Sequence, residues 1–256
     1  MTLTNGRFLT LEGGEGSGKS TQLRLLADTL RAAGYEVVAT REPGGSPGAE
    51  RIREALLGAS LECFGPDAEA VAFAAARADH VETTIRPALQ AGAWVVCDRF
   101  WDSTRVYQGA LGQVDGAFLR ALERIVAPGL APDLTLILDL PPEIGLERAA
   151  VRAQGRAADR FERKGLAFHR AIRDAFLDLA KAEPRRCAVI DATRTPDAVA
   201  DEIRALVSRR FDLALVPPRA ADGGADMDRA FQPDESGLGG EGSCPPTCEP
   251  GGEIRA

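Results

Sequence analysis

Short apolar runs alternate along the chain with longer stretches in which apolar residues recur every three or four positions. The short runs, rich in β-branched residues, predict strands at residues 7–11, 36–40, 94–98, 133–139 and 187–191. The longer stretches predict helices near residues 19–33, 50–57, 68–90, 116–127, 143–153, 161–181 and 196–210. Because strands and helices alternate, we expect an α/β, three-layer fold with a five-stranded parallel sheet and helices on both faces.

The regular pattern stops after Phe211. Residues 217–256 contain 14 Gly or Pro residues, few large apolar side chains and no period of two or 3.6. Such a segment buries too little apolar surface to offset the entropy that it would lose on ordering. We therefore predict one folded domain at 1–211 and a disordered acidic tail at 212–256, the alternative being a tail that folds on contact with a partner.

The formal charge of −7 is unevenly distributed along the chain. Residues 217–256 carry eight acidic and three basic residues, so their net charge of −5 leaves only −2 for residues 1–216. A nearly neutral body argues against broad nucleic-acid binding, but it can still contain local arginine clusters that bind anions.

The cysteine pattern and the apolar pattern bear on where the protein acts. Five scattered cysteines do not form a disulfide framework, and Cys244 and Cys248 alone fall short of the four ligands of a zinc site. No apolar run approaches the roughly 20 residues that span a bilayer, and the N-terminus has no signal-type stretch. We expect a cytoplasmic protein without a membrane partner.

The residues that follow the first predicted strand fit the phosphate-binding pattern G-x-x-x-x-G-K-[ST]. Glycines let backbone N–H groups turn toward phosphates, and the next helix points its positive end at them. We expect Lys19 to neutralise the transferred phosphoryl group of a triphosphate and the Ser20 hydroxyl to bind Mg²⁺. The predicted nucleotide-binding residues are Gly13, Gly14, Glu15, Gly16, Ser17, Gly18, Lys19, Ser20 and Thr21.

Other segments describe a second ligand. Asp98 and Arg99 end a predicted strand at the carboxyl edge of the sheet, where open α/β proteins bind ligands. Asp98 suits Mg²⁺ and Arg99 suits a phosphate, the alternative being a surface ion pair. Phe73 and Arg77 share a helix face, which suits a planar base with carbonyl oxygens, although a lone Phe on such a helix is more often a core residue.

Five segments together resemble bacterial thymidylate kinases in order and spacing. They are L-E-G-G-E-G-S-G-K-S-T at 11–21, T-R-E-P-G-G at 40–45, Phe73-x3-Arg77, Asp98-Arg99-Phe100 and Tyr107-Gln108-Gly109. The resemblance covers roughly residues 6–210. It implies an ATP- and Mg²⁺-dependent homodimeric kinase that converts dTMP to dTDP in dTTP biosynthesis.

The resemblance also implies roles for individual residues. In the kinases that this chain resembles, the residue at the position of Phe73 stacks on thymine, and the residues at the positions of Arg77 and Gln108 contact the base. The residue at the position of Tyr107 packs beside C2′ of the sugar, and the one at the position of Glu15 lies near the 3′ hydroxyl. The implied acceptor-binding set is Glu15, Pro43, Arg53, Phe73, Arg77, Arg99, Thr104, Tyr107 and Gln108.

The segment at about 148–162 resembles the arginine-bearing lid of one branch of this family. The other branch carries an arginine in the phosphate-binding loop, where this chain has Gly16 and Ser17. We therefore expect Arg152 and Arg156 to act with Lys19 and Arg99 on the transferred phosphoryl group, under a lid that excludes water. The sequence leaves open which lid arginine is catalytic, and also whether these arginines merely solvate a helix face.

The chemistry needs no general base, because a monophosphate dianion is already nucleophilic at neutral pH and requires only alignment and charge neutralisation. Two alternatives stay open at this point. One is a kinase of another nucleoside monophosphate or of a deoxynucleoside. A deoxynucleoside kinase would need a general base such as Glu15 to activate the hydroxyl group. The other is a non-catalytic P-loop protein that signals through its lid or tail.

Overall fold

The computed structural model describes residues 6–58, 65–153, 161 and 164–217. Its strands are β1 Phe8–Glu12, β2 Val37–Arg41, β3 Trp94–Asp98, β4 Leu134–Asp139 and β5 Cys187–Asp191. They form a parallel sheet in the order β2-β3-β1-β4-β5. The predicted five-stranded parallel sheet is confirmed, and β1 lies at its centre between β3 and β4.

Helices connect these strands. They are α1 Lys19–Ala32, α2 Pro47–Leu57, α3 at 65–90 with a π-helical turn at Val81–Ile85, α4 at 101–111 with a π-helical stretch at Arg105–Leu111, α5 Gly116–Val126, α6 Pro142–Ala153, α7 Leu166–Ala182 and α8 Pro196–Phe211. The predicted helix at 50–57 begins earlier, because Pro47 is favourable in a first helical turn. The predicted helix at 161–181 begins only at Leu166, after Gly165. Across the described helices, none is long and apolar enough to cross a membrane.

Alternate residues of β3 face opposite sides of the sheet. Trp94 and Val96 belong to a core cluster that includes apolar residues of α1 and α8. Val95 and Cys97 belong to a second cluster, with residues of α3, α4 and α5. Strands that bury both faces need helices on both sides, so the predicted three-layer arrangement is confirmed.

The structure contains a helix that the sequence pattern did not predict, namely α4. Its residues mix β-branched side chains with glycine and lack a clear helical period. Tertiary ion pairs hold it instead: Arg186 donates to both carboxylate oxygens of Asp102, at 2.6 and 3.0 Å, and Arg105 pairs with Glu123 and Glu183. This helix carries three of the predicted acceptor residues, so its position decides the shape of the site.

Candidate active site

The phosphate-binding loop joins the carboxyl end of β1 to the first turn of α1, as the sequence predicts. Gly16 has a φ of +67°, and a β-carbon there would overlap the carbonyl oxygen of Gly145 in α6. Only glycine tolerates both this backbone conformation and this close approach. The loop is therefore packed against the helix that leads into the predicted lid.

Lys19 lies inside this loop. Its Nζ donates hydrogen bonds to the carbonyl oxygens of Gly14 at 2.8 Å and Gly13 at 3.2 Å, and the side chain is almost fully buried. Burial, together with the nearby charge of Arg99, lowers the pKa of Lys19 to about 8. Phosphate oxygens would be stronger partners for this ammonium group than two neutral carbonyls.

Ser20 and Asp98 meet across the site. Ser20 lies in the first turn of α1 and Asp98 ends β3, and the Ser20 hydroxyl donates to an Asp98 carboxylate oxygen at 2.7 Å. A hydroxyl and a carboxylate at this place fit Mg²⁺, which takes few protein ligands and completes its shell with phosphate and water. Among the residues described, no group of three or more His, Cys, Asp or Glu could hold a metal ion by itself.

Arg99 occupies the centre of the site with a strained backbone. Its φ is +69°, a conformation that costs a non-glycine residue about 1–3 kcal/mol and is concentrated at functional sites. The guanidinium donates to Glu15 at 2.6 Å, to the Gly13 carbonyl at 3.1 Å and to Ser103 at 3.2 Å. It also lies 5.3 Å from the centre of the Tyr107 ring. Arg99 thus bridges the phosphate-binding loop and α4.

A buried carboxylate that the sequence analysis missed supports this arrangement. Glu12 accepts hydrogen bonds from the Phe100 backbone N–H at 2.8 Å and from the Ser103 hydroxyl at 2.6 Å. Burial, assisted by the charge of Asp102, raises the pKa of Glu12 to about 7. An acidic residue at the carboxyl end of an otherwise apolar strand was the signal that could have revealed it.

Arg77 lies on the side of the site opposite the phosphate-binding loop. The side chain is only 2% exposed, and it donates to Glu42 at 2.7 Å, to Thr104 at 3.2 Å and to the Phe100 carbonyl at 3.2 Å. Its guanidinium also stacks 4.7 Å from the centre of the Trp101 ring. The sequence analysis assigned no role to Glu42, although an acidic residue just beyond β2 lies at the same sheet edge as Asp98.

One cavity of about 470 Å³ unites most of the predicted residues. The predicted residues that line it are Glu15, Gly16, Gly18, Lys19, Ser20, Thr21, Pro43, Arg53, Phe73, Arg77, Asp98, Arg99, Thr104, Tyr107 and Gln108. Gly13, Gly14 and Ser17 do not line it, but all three accept a hydrogen bond from Lys19. Leu57 and Phe161 line it without having been predicted, and Phe161 packs edge-on against Tyr107 at 5.5 Å.

Two predicted site residues belong to the lid. Arg152 lies in α6, and Arg156 lies outside the described residues, as do most of the predicted lid and the tail beyond residue 217. The roles of these two arginines, the lid and the disordered tail therefore stay predictions.

A phosphate-binding loop that shares one cavity with a wall of aromatic and arginine side chains is typical of a P-loop kinase, a class that binds a nucleoside triphosphate at the loop and an acceptor beside it. Comparison with known proteins identifies the family. A family model described as thymidylate kinase matches residues 11–203. The chain belongs to the thymidylate kinase family.

Individual relatives agree with this assignment. The chain is 57% identical over 205 residues to the thymidylate kinase of Nitrobacter winogradskyi, a match that covers 80% of this chain and 89% of the relative. It is 56% identical to that of Rhodopseudomonas palustris, covering 84% and 93%. The crystal structure of thymidylate kinase from Ehrlichia chaffeensis superimposes with a TM-score of 0.63 at 33% identity, covering 79% of this chain and 99% of that one.

Proposed function

We propose that this protein transfers the γ-phosphoryl group of ATP to dTMP, with Mg²⁺, to give dTDP and ADP. The observation that carries the proposal is the single cavity with two kinds of wall. One wall is the phosphate-binding loop with Lys19 and Ser20, and the other is an aromatic and guanidinium pocket built by Phe73 and Arg77. A protein that only bound a triphosphate would have no use for the second wall.

The donor side binds the ATP phosphates. The loop N–H groups and the N-terminus of α1 attract the phosphates, and Lys19 exchanges its carbonyl partners for phosphate oxygens. Bound by Ser20 and Asp98, Mg²⁺ would neutralise the charge on the transferred group.

The acceptor side aligns the nucleophile. Arg99 leaves Glu15 and takes the phosphate of dTMP, because a dianion is a stronger partner than a single carboxylate oxygen. Phe73 stacks on the base while Arg77 and Gln108 bond its polar edge. Tyr107 lies next to Arg99, where a ribose 2′ hydroxyl would meet its ring. No proton need be removed, since the phosphate dianion is itself the nucleophile.

Three further parts of the proposal concern the lid, assembly and location. Arg152 and Arg156 would complete the neutralisation when the lid closes over ATP. A cytoplasmic location agrees with the family assignment. A homodimer agrees with that assignment and also with exposed apolar side chains on α3 and α5, among them Val71, Phe118 and Ile125. Sedimentation of the wild-type chain and of an Ile125→Asp variant tests the dimer.

The direct test is ADP release with ATP and Mg²⁺ against dTMP, dUMP, UMP, dCMP, AMP, GMP and thymidine. We expect a strong preference for dTMP and no turnover of thymidine, which lacks the phosphate that Arg99 binds. Arg77→Ala should raise the KM for dTMP by about tenfold or more with little change for ATP, because a hydrogen bond from a charged donor contributes about 1.5–3 kcal/mol.

Other outcomes would assign other functions. Turnover of thymidine with indifference to dTMP would identify a nucleoside kinase, and preference for another monophosphate would identify a different acceptor. If ATP binds but no ADP is released with any of these acceptors, the chain is a P-loop protein without this activity.

A further inference from the structure

Next to Arg77 lies a row of buried polar side chains that the proposed mechanism does not use, and one of them, Glu42, also lines the cavity. His80 on α3 is 0% exposed, Thr40 at the end of β2 is 3% exposed, and Glu42 is 6% exposed. His80 Nδ1 lies 3.0 Å from Glu42 Oε1, and its Nε2 lies 2.7 Å from Thr40 Oγ1. Polar groups buried this deeply are costly unless each has a partner, and each of these has one.

The chemistry of Glu42 fixes the direction of these hydrogen bonds. A carboxylate only accepts, so the proton on His80 Nδ1 points at Oε1 in either protonation state of the ring. The second oxygen, Oε2, accepts from Nε of Arg77 at 2.7 Å. Glu42 is therefore held from one side by His80 and holds Arg77 on the other.

The consequence reaches the acceptor because a guanidinium is planar. Once Nε bonds to Glu42, Nη1 to Thr104 and Nη2 to the Phe100 carbonyl, the plane of the Arg77 head is fixed. Its remaining N–H groups then have defined directions. A small rotation of Glu42 would tilt that plane and misalign whatever Arg77 binds.

Packing leaves His80 little freedom to move away. Gly45 lies on the imidazole with a φ of +82°, and a β-carbon there would overlap both His80 Nε2 and the hydroxyl oxygen of Thr40. The carbonyl of Gly45 in turn accepts a hydrogen bond from the Thr84 hydroxyl at 2.9 Å, which ties this loop to the same helix as His80.

We propose that His80 is a positioning residue for the acceptor base, acting through Glu42 on Arg77. The inference rests on the proposed function, because it assumes that Arg77 meets the base of dTMP. His80 touches no substrate in this account. Its role is to hold the Glu42 carboxylate in the one rotamer that presents Oε2 to Nε of Arg77.

Two substitutions separate the two ends of the imidazole. In His80→Asn the amide nitrogen falls near the position of Nδ1 and keeps a donor for Glu42, whereas in His80→Gln the amide falls near Nε2 and serves Thr40 instead. Val81→Ala is the matched control, because Val81 is the next residue of α3, is also 0% exposed and packs in the apolar core. Each variant is assayed for KM toward dTMP, KM toward ATP, kcat and thermal unfolding.

We expect His80→Gln to raise the KM for dTMP by about tenfold, the scale of one lost charge-assisted hydrogen bond, while the KM for ATP stays within about twofold. His80→Asn should restore most of the affinity for dTMP. Val81→Ala should lower the unfolding temperature without changing the ratio of the two KM values.

Opposite results would overturn the inference. If His80→Gln and His80→Asn raise the KM for dTMP equally, His80 is only a structural residue. The same conclusion follows if the His80 variants raise the KM for dTMP and the KM for ATP together. Failure of the wild-type chain to use dTMP would overturn the proposed function and this inference with it. Normal wild-type turnover with an unchanged KM ratio in His80→Gln would overturn this inference alone.

Discussion

The two halves of the cavity are built in different ways. The donor half comes mostly from one continuous segment, 13–21, joined by Asp98 at the end of β3, and would bind phosphates mainly through backbone N–H groups and side chains of that segment. The acceptor half comes from separate segments, with Pro43 after β2, Phe73 and Arg77 on α3, and Tyr107 on α4. Its charged side chains are held by other buried side chains, such as Glu42 behind Arg77.

This difference shows what each half depends on. A loop that binds through its backbone needs only glycines and a following helix, so its function is encoded locally. A pocket that depends on side-chain directions needs buried polar partners from distant segments. Changes in the donor half should therefore alter chemistry with little loss of stability, whereas changes in the acceptor half should alter substrate affinity and stability together.

The largest effect should come from Lys19→Met. We expect kcat to fall by about 10²–10³-fold, because the charge that stabilises the transferred phosphoryl group is lost. The fold should stay intact, as measured by circular dichroism and by thermal unfolding. Arg24→Met, which removes an exposed cation from the same helix, is the control and should leave kcat within about twofold. A similar loss in both variants would show that general charge, rather than Lys19, is responsible.

Glu42→Gln should affect affinity and stability at once. It leaves the buried Arg77 without its counter-charge, so we expect a loss of about 2 kcal/mol in the free energy of unfolding and a KM for dTMP about tenfold higher. Urea unfolding and steady-state kinetics measure the two effects. Glu82→Gln, which breaks a solvent-exposed pair with Arg86, is the control and should cost less than about 1 kcal/mol. An equal rise in the KM for ATP would contradict the separation of the two halves.

Glu12→Gln tests whether Glu12, which lies between the two halves, makes the stability of the protein depend on pH. Because burial raises the pKa of Glu12 to about 7 from 4.5, the stability associated with its proton is fully present below pH 4.5 and is lost as pH rises through 7. The difference in pKa corresponds to about 3 kcal/mol. Unfolding at a series of pH values should show the wild type losing stability relative to Glu12→Gln between pH 4.5 and 7.5. Parallel curves for the two chains would rule out this titration.

The smallest effect should be proton uptake on nucleotide binding. The pKa of Lys19 is lowered to about 8, so near pH 9 the free side chain is mostly neutral, and the phosphates of ADP should return its proton. We expect uptake of about half a proton or more, measured by calorimetry in buffers of different ionisation enthalpy. Lys19→Arg, which stays protonated, should show little uptake at this pH. Equal uptake in both chains would place the proton elsewhere.

The donor half could be predicted almost completely from the sequence. The run from Gly13 to Thr21 implies a turn, a helix start and a phosphate site, because glycine spacing and the lysine act over a few residues. Arg77 and Asp98 could also be placed near the site, because the carboxyl edge of a parallel sheet and the periodicity of a helix fix their general direction.

The support of the acceptor half could not be predicted in this way. Helix α4 lacks a helical pattern of its own and is held by Arg186 and Arg105 through ion pairs with distant segments. Glu12 and His80 gave no sign of their partners, because a hydrogen bond between residues 38 or more positions apart leaves no periodic signal. Only packing shows which buried carboxylate faces which donor.

The sequence by itself determined the five strands, most of the helices, the phosphate-binding loop and the family, because these depend on local periodicity and on short motifs. The tertiary structure decided which side chains share one cavity, that Arg99 adopts a strained backbone and how Glu42 holds Arg77. The physical reason is that burial makes polar partners obligatory, and the choice of partner depends on which segments the sheet brings together.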